Sequence, residues 1–195
     1  MKRRSFVLCV PAILAAPALI SGCALRRGPP LPGSLQDVDA LTRAIARMPP
    51  SVDIAEARAA ASLAYSETYR LALTYGIVDP PLLHNAKVNA GRKPRGLCWH
   101  WAEDLTARLS AQNYHSLRMH RAIANADDPL VIDHSTAIIA AVGADWRDGV
   151  VLDPWRGGGT LFWAPVREDS HYDWEERETV MRRYGRIRYA RQGAN

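Results

Sequence analysis

The chain has 195 residues, of which 48% are hydrophobic and 23% are charged, with a net charge of +5. These values are ordinary for one globular domain with a substantial core. The charge is small and forms no basic stripe interleaved with aromatic residues, which argues against a nucleic-acid partner.

The first 22 residues have the three-part pattern of an export signal. Basic residues at positions 2–4 precede an apolar run over residues 6–20, and small residues follow it. The run is too short for a comfortable membrane span. We therefore expect residues 1–22 to be a signal peptide that is removed, which leaves a net charge of about +2.

The signal ends in Leu-Ile-Ser-Gly-Cys at residues 19–23. This string resembles the bacterial lipobox, in which the cysteine is lipidated and becomes the mature amino terminus. The resemblance implies a lipid anchor on Cys23, and Ala24 in place of Asp favours the outer membrane, facing the periplasm. An uncleaved anchor or cleavage elsewhere is the alternative. Residues 3–7 resemble the twin-arginine export motif, so the export route stays open.

A lipidated tether over residues 23–36 and one domain over residues 37–195 are predicted to follow. The Pro- and Gly-rich composition of the tether favours extended chain over helix or sheet. Of the three cysteines, Cys9 would leave with the signal and Cys23 would be blocked by lipid. Cys98 would then be alone in an oxidising compartment, either as an inert buried residue or as a nucleophile.

Two helices are predicted to open the domain. The first covers residues 37–48 and ends at Pro49. Ser51 is predicted to cap a long Ala-rich helix over residues 52–75, which Gly76 ends.

A polar loop is predicted from residue 79 to near residue 95. A loop that leads into a nucleophile is a place for a side chain that stabilises an oxyanion. Asn85 is our candidate for that role, with Asn89 and His84 as alternatives, and an ordinary polar loop is the other interpretation.

A third helix is predicted to begin at Cys98 and to run to about residue 111. Its buried stripe consists of apolar residues spaced by four, Leu97, Trp101, Leu105 and Leu109. The partial positive charge at the start of a helix favours a thiolate there. The backbone N–H of Cys98 is also placed to bind a developing oxyanion.

A small antiparallel sheet is predicted after this helix. Its strands cover residues 114–124, 130–142 and 150–154, an edge strand covers 161–163, and a terminal helix covers 176–184. The second strand ends in a continuous apolar run, which is typical of a central strand covered on both faces. Helices followed by a small sheet indicate an α+β domain.

His134 and Asp153 are predicted to be neighbours. His134 opens the second strand and Asp153 closes the third, so both lie at the same end of an antiparallel pair. Cysteine, histidine and aspartate together form a nucleophilic triad, in which the thiolate attacks, the imidazole carries the proton and the carboxylate orients the imidazole.

Three motifs therefore occur in order: Gly-x-Cys opening a helix, His beginning a strand of small and apolar residues, and Leu-Asp-Pro closing the next strand. Over about residues 80–165 they resemble the transglutaminase-like superfamily of papain-fold cysteine enzymes, especially its small bacterial cysteine-proteinase members. The resemblance implies a papain-like fold with Cys98 as nucleophile, His134 as base and Asp153 as orienter, and no cofactor. It implies cleavage or transfer of an amide acyl group, and the location favours a peptide or protein of the cell envelope as substrate.

Two alternatives stay open. A zinc site would use Cys98, His100, His134 and Asp153, but a Cys-x-His pair within one helix is awkward for one ion, and we expect no metal. A non-catalytic binding or scaffold lipoprotein could keep the same fold. Two tryptophans are candidates for the walls of a substrate cleft, Trp99 and Trp155. The sequence leaves the oligomeric state undetermined.

Overall fold

The structure, a computed structural model, describes residues 28–184. Its five helices are α1 (Leu35–Ala46), α2 (Ile54–Tyr75), α3 (Pro81–Asn89), α4 (Cys98–Ser110) and α5 (Arg177–Arg183). Its five strands are β1 (Leu117–Ala124), β2 (His134–Ala141), β3 (Val150–Asp153), β4 (Phe162–Pro165) and β5 (Glu175–Glu176). The predicted signal peptide and the lipidation site at Cys23 lie outside the described residues. Within residues 28–184, no helix is long and apolar enough to cross a membrane.

The first helix begins two residues earlier than predicted. Ser34 and Asp37 form a capping box, in which Ser34 Oγ accepts from the Asp37 N–H (3.2 Å) and the Asp37 carboxylate accepts from the Ser34 N–H (2.8 Å). This box lies at the end of the predicted tether, so residues 34–36 belong to the folded domain.

The cap of α2 was predicted wrongly, but its end was predicted correctly. Asp53, and not Ser51, caps the helix, because its Oδ1 accepts from the N–H groups of Ala55 (2.8 Å) and Glu56 (3.0 Å). Gly76 ends the helix with φ of +64°, in the left-handed region where glycine has no Cβ to clash.

The predicted loop over residues 79–95 is also wrong, because it contains the nine-residue helix α3. Pro81 is its first residue, a position where proline loses no helical hydrogen bond and its fixed φ suits the helix. Lys87, in the last turn, binds both carboxylate oxygens of Asp79 at 2.7 and 2.8 Å. The adjacent prolines Pro80 and Pro81 favour a loop as well, but here Pro81 starts a helix.

The strands form one antiparallel sheet in the order β4-β3-β2-β1-β5. The predicted strands are present but shorter: the first begins at 117 instead of 114, the second at 134 instead of 130, and the third ends at 153. The edge strand is shifted to 162–165. The two-residue β5 was missed, and it precedes α5, which therefore starts at 177.

Both faces of β2 are buried, as predicted. One face packs under α1, α2 and α4, in a core that includes Leu41, Ile45, Leu105, Leu109, Ile139 and Leu152. The other face is covered by a second cluster that includes Ala122, Ile138, Trp146, Val151, Val166 and Trp174. Helices followed by an antiparallel sheet make this an α+β fold. Because α4 packs against β2, Cys98 at the start of α4 lies close to the start of β2.

Candidate active site

Cys98 is the first residue of α4 and is buried. Gly96, just before the helix, has φ of +126°, and a Cβ there would lie 2.4 Å from Nε2 of His84. His84 is itself buried and its Nε2–H donates to the carbonyl oxygen of Arg95 at 2.9 Å. The chain before the cysteine is therefore fixed by a close approach that only glycine permits.

His100 fixes the same turn from the other side. Its Nδ1 accepts from the backbone N–H groups of Gly96 (3.1 Å) and Leu97 (3.2 Å). In a capping box, a Glu or Gln side chain in the first helical turn accepts from the backbone N–H of the N-cap residue. His100 plays that part here, because its Nδ1 accepts from the N–H of the N-cap residue Leu97. Burial, reinforced by the nearby Arg95 charge, lowers the pKa of His100 to about 4, so the ring is neutral and can accept. Because Nδ1 of His100 accepts these two backbone hydrogen bonds, it cannot also bind a metal ion.

His134 and Asp153 meet as their strand positions predicted. Nε2 of His134 lies 2.6 Å from Oδ2 of Asp153, and the two side chains are 3% and 1% exposed. The register places Ala137 opposite Leu152, so Asp153 lies one residue beyond the paired stretch, beside the start of β2. An ionised carboxylate only accepts hydrogen bonds, so Nε2 carries the proton in this pair.

The Asp153 carboxylate has a second set of partners, from Arg156. The Arg156 backbone N–H donates to Oδ1 (3.0 Å) and its Nε–H donates to Oδ2 (3.1 Å). The other end of the guanidinium forms a bidentate pair with Asp169 at 2.7 and 3.0 Å. Trp174 Nε1–H also donates to Asp169, at 3.0 Å. Burial would raise the pKa of Asp169, but the bonds from Arg156 and Trp174 outweigh it and lower that pKa.

Aromatic rings surround His134. The ring centroids of Tyr172, Trp155 and Trp174 lie 4.6, 4.8 and 5.5 Å from that of His134. The Arg156 guanidinium lies over the Tyr172 ring at 4.7 Å. These groups exclude water from the imidazole and hold its plane.

The pKa of His134 is raised by this setting. Burial alone would lower it, but the hydrogen bond to Asp153 and the interaction with the Cys98 thiol outweigh burial and raise the pKa to about 9. The raised pKa favours the protonated imidazolium form of His134. The Cys98 thiol contacts the carbonyl oxygen of Asp133, which lies 3.7 Å from Sγ. Among residues 28–184, His134 Nδ1 has no hydrogen-bond partner although it is buried.

The other predicted site residues divide into two groups. Trp155 lies beside His134, and its Nε1–H donates to Oδ1 of Asn85 at 3.0 Å. Asn85 lies on α3 and not in a loop. Its Oδ1 accepts the hydrogen bond from Trp155, and its amide N–H groups take no part in that bond. Trp99 points elsewhere: it is 44% exposed and its ring contacts His100. No cluster of three or more His, Cys, Asp or Glu suited to a metal ion occurs in the described part of the chain.

Four residues around the His134–Asp153 pair were not predicted from the sequence: Arg156, Asp169, Tyr172 and Trp174. They lie in irregular segments after β3 and before β5, where no periodicity marks a buried side chain. The one available signal was Arg156 three residues after a predicted site carboxylate, a spacing that permits an ion pair within one turn.

Comparison of the chain with protein-family models, with curated proteins and with solved structures found no match in any of the three. The function therefore has to be argued from the arrangement itself, in which a buried His–Asp pair lies beside a cysteine at the start of a helix.

Proposed function

We propose that the protein is a cysteine enzyme that cleaves or transfers an amide acyl group through Cys98, His134 and Asp153. One observation carries the proposal: the buried bond of 2.6 Å between His134 and Asp153, beside a cysteine in the first turn of α4. The pKa of His134 is raised, in part by the interaction with Cys98, and its buried Nδ1 has no hydrogen-bond partner among residues 28–184, so a partner is needed there. A Cys98 thiolate is an anion in reach of that ring.

The proposed reaction divides the roles among three side chains. The Cys98 thiolate attacks the carbonyl carbon, and the C–S bond forms as the carbonyl oxygen takes up negative charge. The backbone N–H of Cys98, at the start of a helix, is placed to stabilise that oxyanion, and Asn85 remains the side-chain candidate. His134 gives its proton to the leaving amine as the C–N bond breaks. Water or a second amine then attacks the thioester carbonyl while it gives a proton to the now neutral His134, and the C–S bond breaks to free the Cys98 thiolate.

Asp153 acts in this scheme as the orienting group. Its bond to Nε2 assigns Nδ1 to the cysteine and stabilises the positive ring. The resemblance of the motifs to the transglutaminase-like superfamily, and through it to the papain-like fold, supports the same assignment of roles.

We further propose that the enzyme is a lipoprotein of the cell envelope. The lipobox-like residues 19–23 support acylation of Cys23, and Ala24 supports the periplasmic side of the outer membrane. A peptide or protein of the envelope is then the accessible substrate.

The second candidate is a binding or scaffold lipoprotein that does not turn over. It is favoured by the contact between Cys98 Sγ and the Asp133 carbonyl, because a thiol makes such a contact and a thiolate is repelled by it. Catalysis requires Sγ to leave this oxygen for His134.

The test is to incubate the mature chain, purified in detergent, with cell-envelope peptides and a biotin-labelled primary amine. New peptide termini that depend on Cys98 indicate hydrolysis, and biotin incorporation that depends on Cys98 indicates acyl transfer. The matched control is Cys98→Ser. Absence of both products, with Cys98 and His134 intact, supports the scaffold alternative.

A further inference from the structure

The N-terminal segment, residues 28–34, is packed on the domain. Pro30 is buried, whereas the residue on each side of it is exposed. Gly33 lies so close to the ring of Tyr65, a buried residue of α2, that a Cβ at this glycine would overlap the ring. The chain is therefore held at two points before Ser34 caps α1. The part of the predicted tether that the structure describes is docked and not free.

Pro30 contacts a loop of the candidate active site. Gly159 is buried and has φ of +90°, and a Cβ there would lie 2.9 Å from Cγ of Pro30 and 3.1 Å from Cγ2 of Ile77. The Pro30 ring therefore occupies space that a side chain at position 159 would need. Residues 155–160, which include three consecutive glycines, are called the glycine loop below.

The glycine loop closes on the residue after Asp153. The Gly159 N–H donates to the carbonyl oxygen of Pro154 at 2.9 Å. Pro154 lies between Asp153 and Trp155 in the chain. The residue that Pro30 contacts is thus hydrogen-bonded to the residue that joins the triad carboxylate to the tryptophan beside the imidazole.

Trp155 connects the glycine loop with the imidazole. Its ring centroid lies 4.8 Å from that of His134. The ring also packs against the buried cluster that includes Ala72 and Ile77, and the same two side chains lie beside the glycine loop. Trp155 is half-buried, and its one side-chain hydrogen bond goes to Asn85. How closely Trp155 covers the imidazole therefore depends on how firmly the loop is held.

We infer that Pro30 and Gly159 are positioning residues for His134. Their contact holds the glycine loop against the domain, so that Trp155 covers the imidazole and keeps water away from it. This inference rests on the proposed function, in which His134 exchanges protons with the cysteine and the leaving amine. It makes the segment that leads to the proposed lipid anchor a part of the active-site structure.

The experiment measures how fast the Nε2 proton of His134 exchanges with water. Burial and the bond to Asp153 protect this proton, so its exchange can be followed by proton NMR on the mature chain in detergent, with His134→Gln to assign the signal. Pro30→Ala removes the Cγ atom that lies against Gly159. We expect the exchange rate to rise at least about tenfold, because the loop opens more often and admits water to the ring.

Two matched pairs of variants isolate the contact. Pro32→Ala makes the same change at an exposed proline of the same segment and should leave the exchange rate within about twofold of wild type. Gly159→Ala places a Cβ against the Pro30 ring and should accelerate exchange as Pro30→Ala does. Gly143→Ala adds a Cβ at a similar φ, +84°, where it would meet nothing within 4 Å, and should not accelerate exchange.

Two results overturn the inference. The first is equal exchange in Pro30→Ala and Pro32→Ala, which would show that the Pro30 contact does not protect the imidazole. The second is an acceleration that matches the loss of global stability in urea unfolding, because the whole domain and not the loop would then be opening.

The proposed function is tested separately on the same proteins. Iodoacetamide labelling of wild-type Cys98 that is independent of His134 overturns the enzyme, whatever the exchange rates are. Fast exchange confined to Pro30→Ala and Gly159→Ala supports the positioning of His134 in either case, because the exchange measurement does not use the reactivity of Cys98.

Discussion

Nε2 of His134 lies 2.6 Å from Oδ2 of Asp153, and this bond decides which ring nitrogen is left for Cys98. Because Nε2 is hydrogen-bonded to the carboxylate, Nδ1 is the ring nitrogen that exchanges a proton with the thiol in the proposed reaction. The two residues come from adjacent antiparallel strands, so the register of β2 with β3 brings them together, and Arg156 in the following turn also binds the carboxylate.

The stability of the protein is expected to fall as pH rises through 9. The pKa of His134 is about 9 in the folded chain, against 6.5 for an ordinary histidine, so folding favours the protonated ring. This stabilisation is complete below about pH 6.5 and is lost as pH rises through about 9, with a loss of up to about 3 kcal/mol. Urea unfolding from pH 6 to 10, for wild type and His134→Gln, measures it. Parallel pH profiles for the two proteins would show that the pKa of His134 is not raised.

Arg156 and Asp169 are expected to act as one unit. Their side chains are 16% and 3% exposed, and Arg156→Gln leaves the Asp169 carboxylate buried without its ion-pair partner. The expected loss is about 3–5 kcal/mol in the free energy of unfolding. Adding Asp169→Asn should restore at least about 1 kcal/mol, since the orphaned charge is removed. Denaturant unfolding of the two single variants and the double variant gives the coupling energy, and additive losses would rule out the proposed pairing.

His100→Ala is expected to loosen the turn before Cys98. It removes the acceptor for the Gly96 and Leu97 N–H groups and should cost about 1–2 kcal/mol, as loss of a helix cap does. His100→Gln keeps an acceptor at the same helical position and should retain most of the stability.

The pH dependence of the His100 variants provides a second readout. The pKa of His100 is lowered to about 4, so its contribution is complete above about pH 6.5 and is lost as pH falls toward 4. Thermal unfolding at pH 4 and pH 7 should show a smaller acid loss in His100→Gln than in wild type. An equal loss in both would mean that the acid sensitivity arises elsewhere.

Cys23→Ser is expected to release the protein from the membrane without changing its fold. The predicted lipid is carried by that sulfur, and the domain begins at the Ser34 cap. Metabolic labelling with palmitate and membrane fractionation should show lipid and sedimentation in wild type and neither in the variant. Lipid-free wild-type protein that still sediments would instead indicate an uncleaved anchor.

The sequence was sufficient for the parts of the site that follow from periodicity. The four-residue spacing of apolar side chains placed Cys98 at a helix start, and the hairpin placed His134 and Asp153 at one end of the sheet. Both expectations depend on backbone geometry that local residue patterns specify.

The parts that were missed depend on contacts between distant segments. Arg156 was visible in the sequence, but its partner Asp169 lies 13 residues away across a turn and a strand. Tyr172 and Trp174 lie in a segment without regular structure and reach His134 only after the chain folds back. The helix α3 was missed because Pro80-Pro81 favours a loop and a helix start alike, and the residues after it are not strongly amphipathic.

Whether Cys98 and His134 form a reactive pair is measured by the rate of Cys98 alkylation by iodoacetamide as a function of pH. The mature chain in detergent and its His134→Ala variant are compared. We predict fast labelling that persists below about pH 6 in wild type and is lost in the variant, because only an imidazolium keeps the sulfur ionised there. Labelling that rises only near about pH 8.5, as for an ordinary thiol, and identically in both proteins would show that Cys98 and His134 form no such pair.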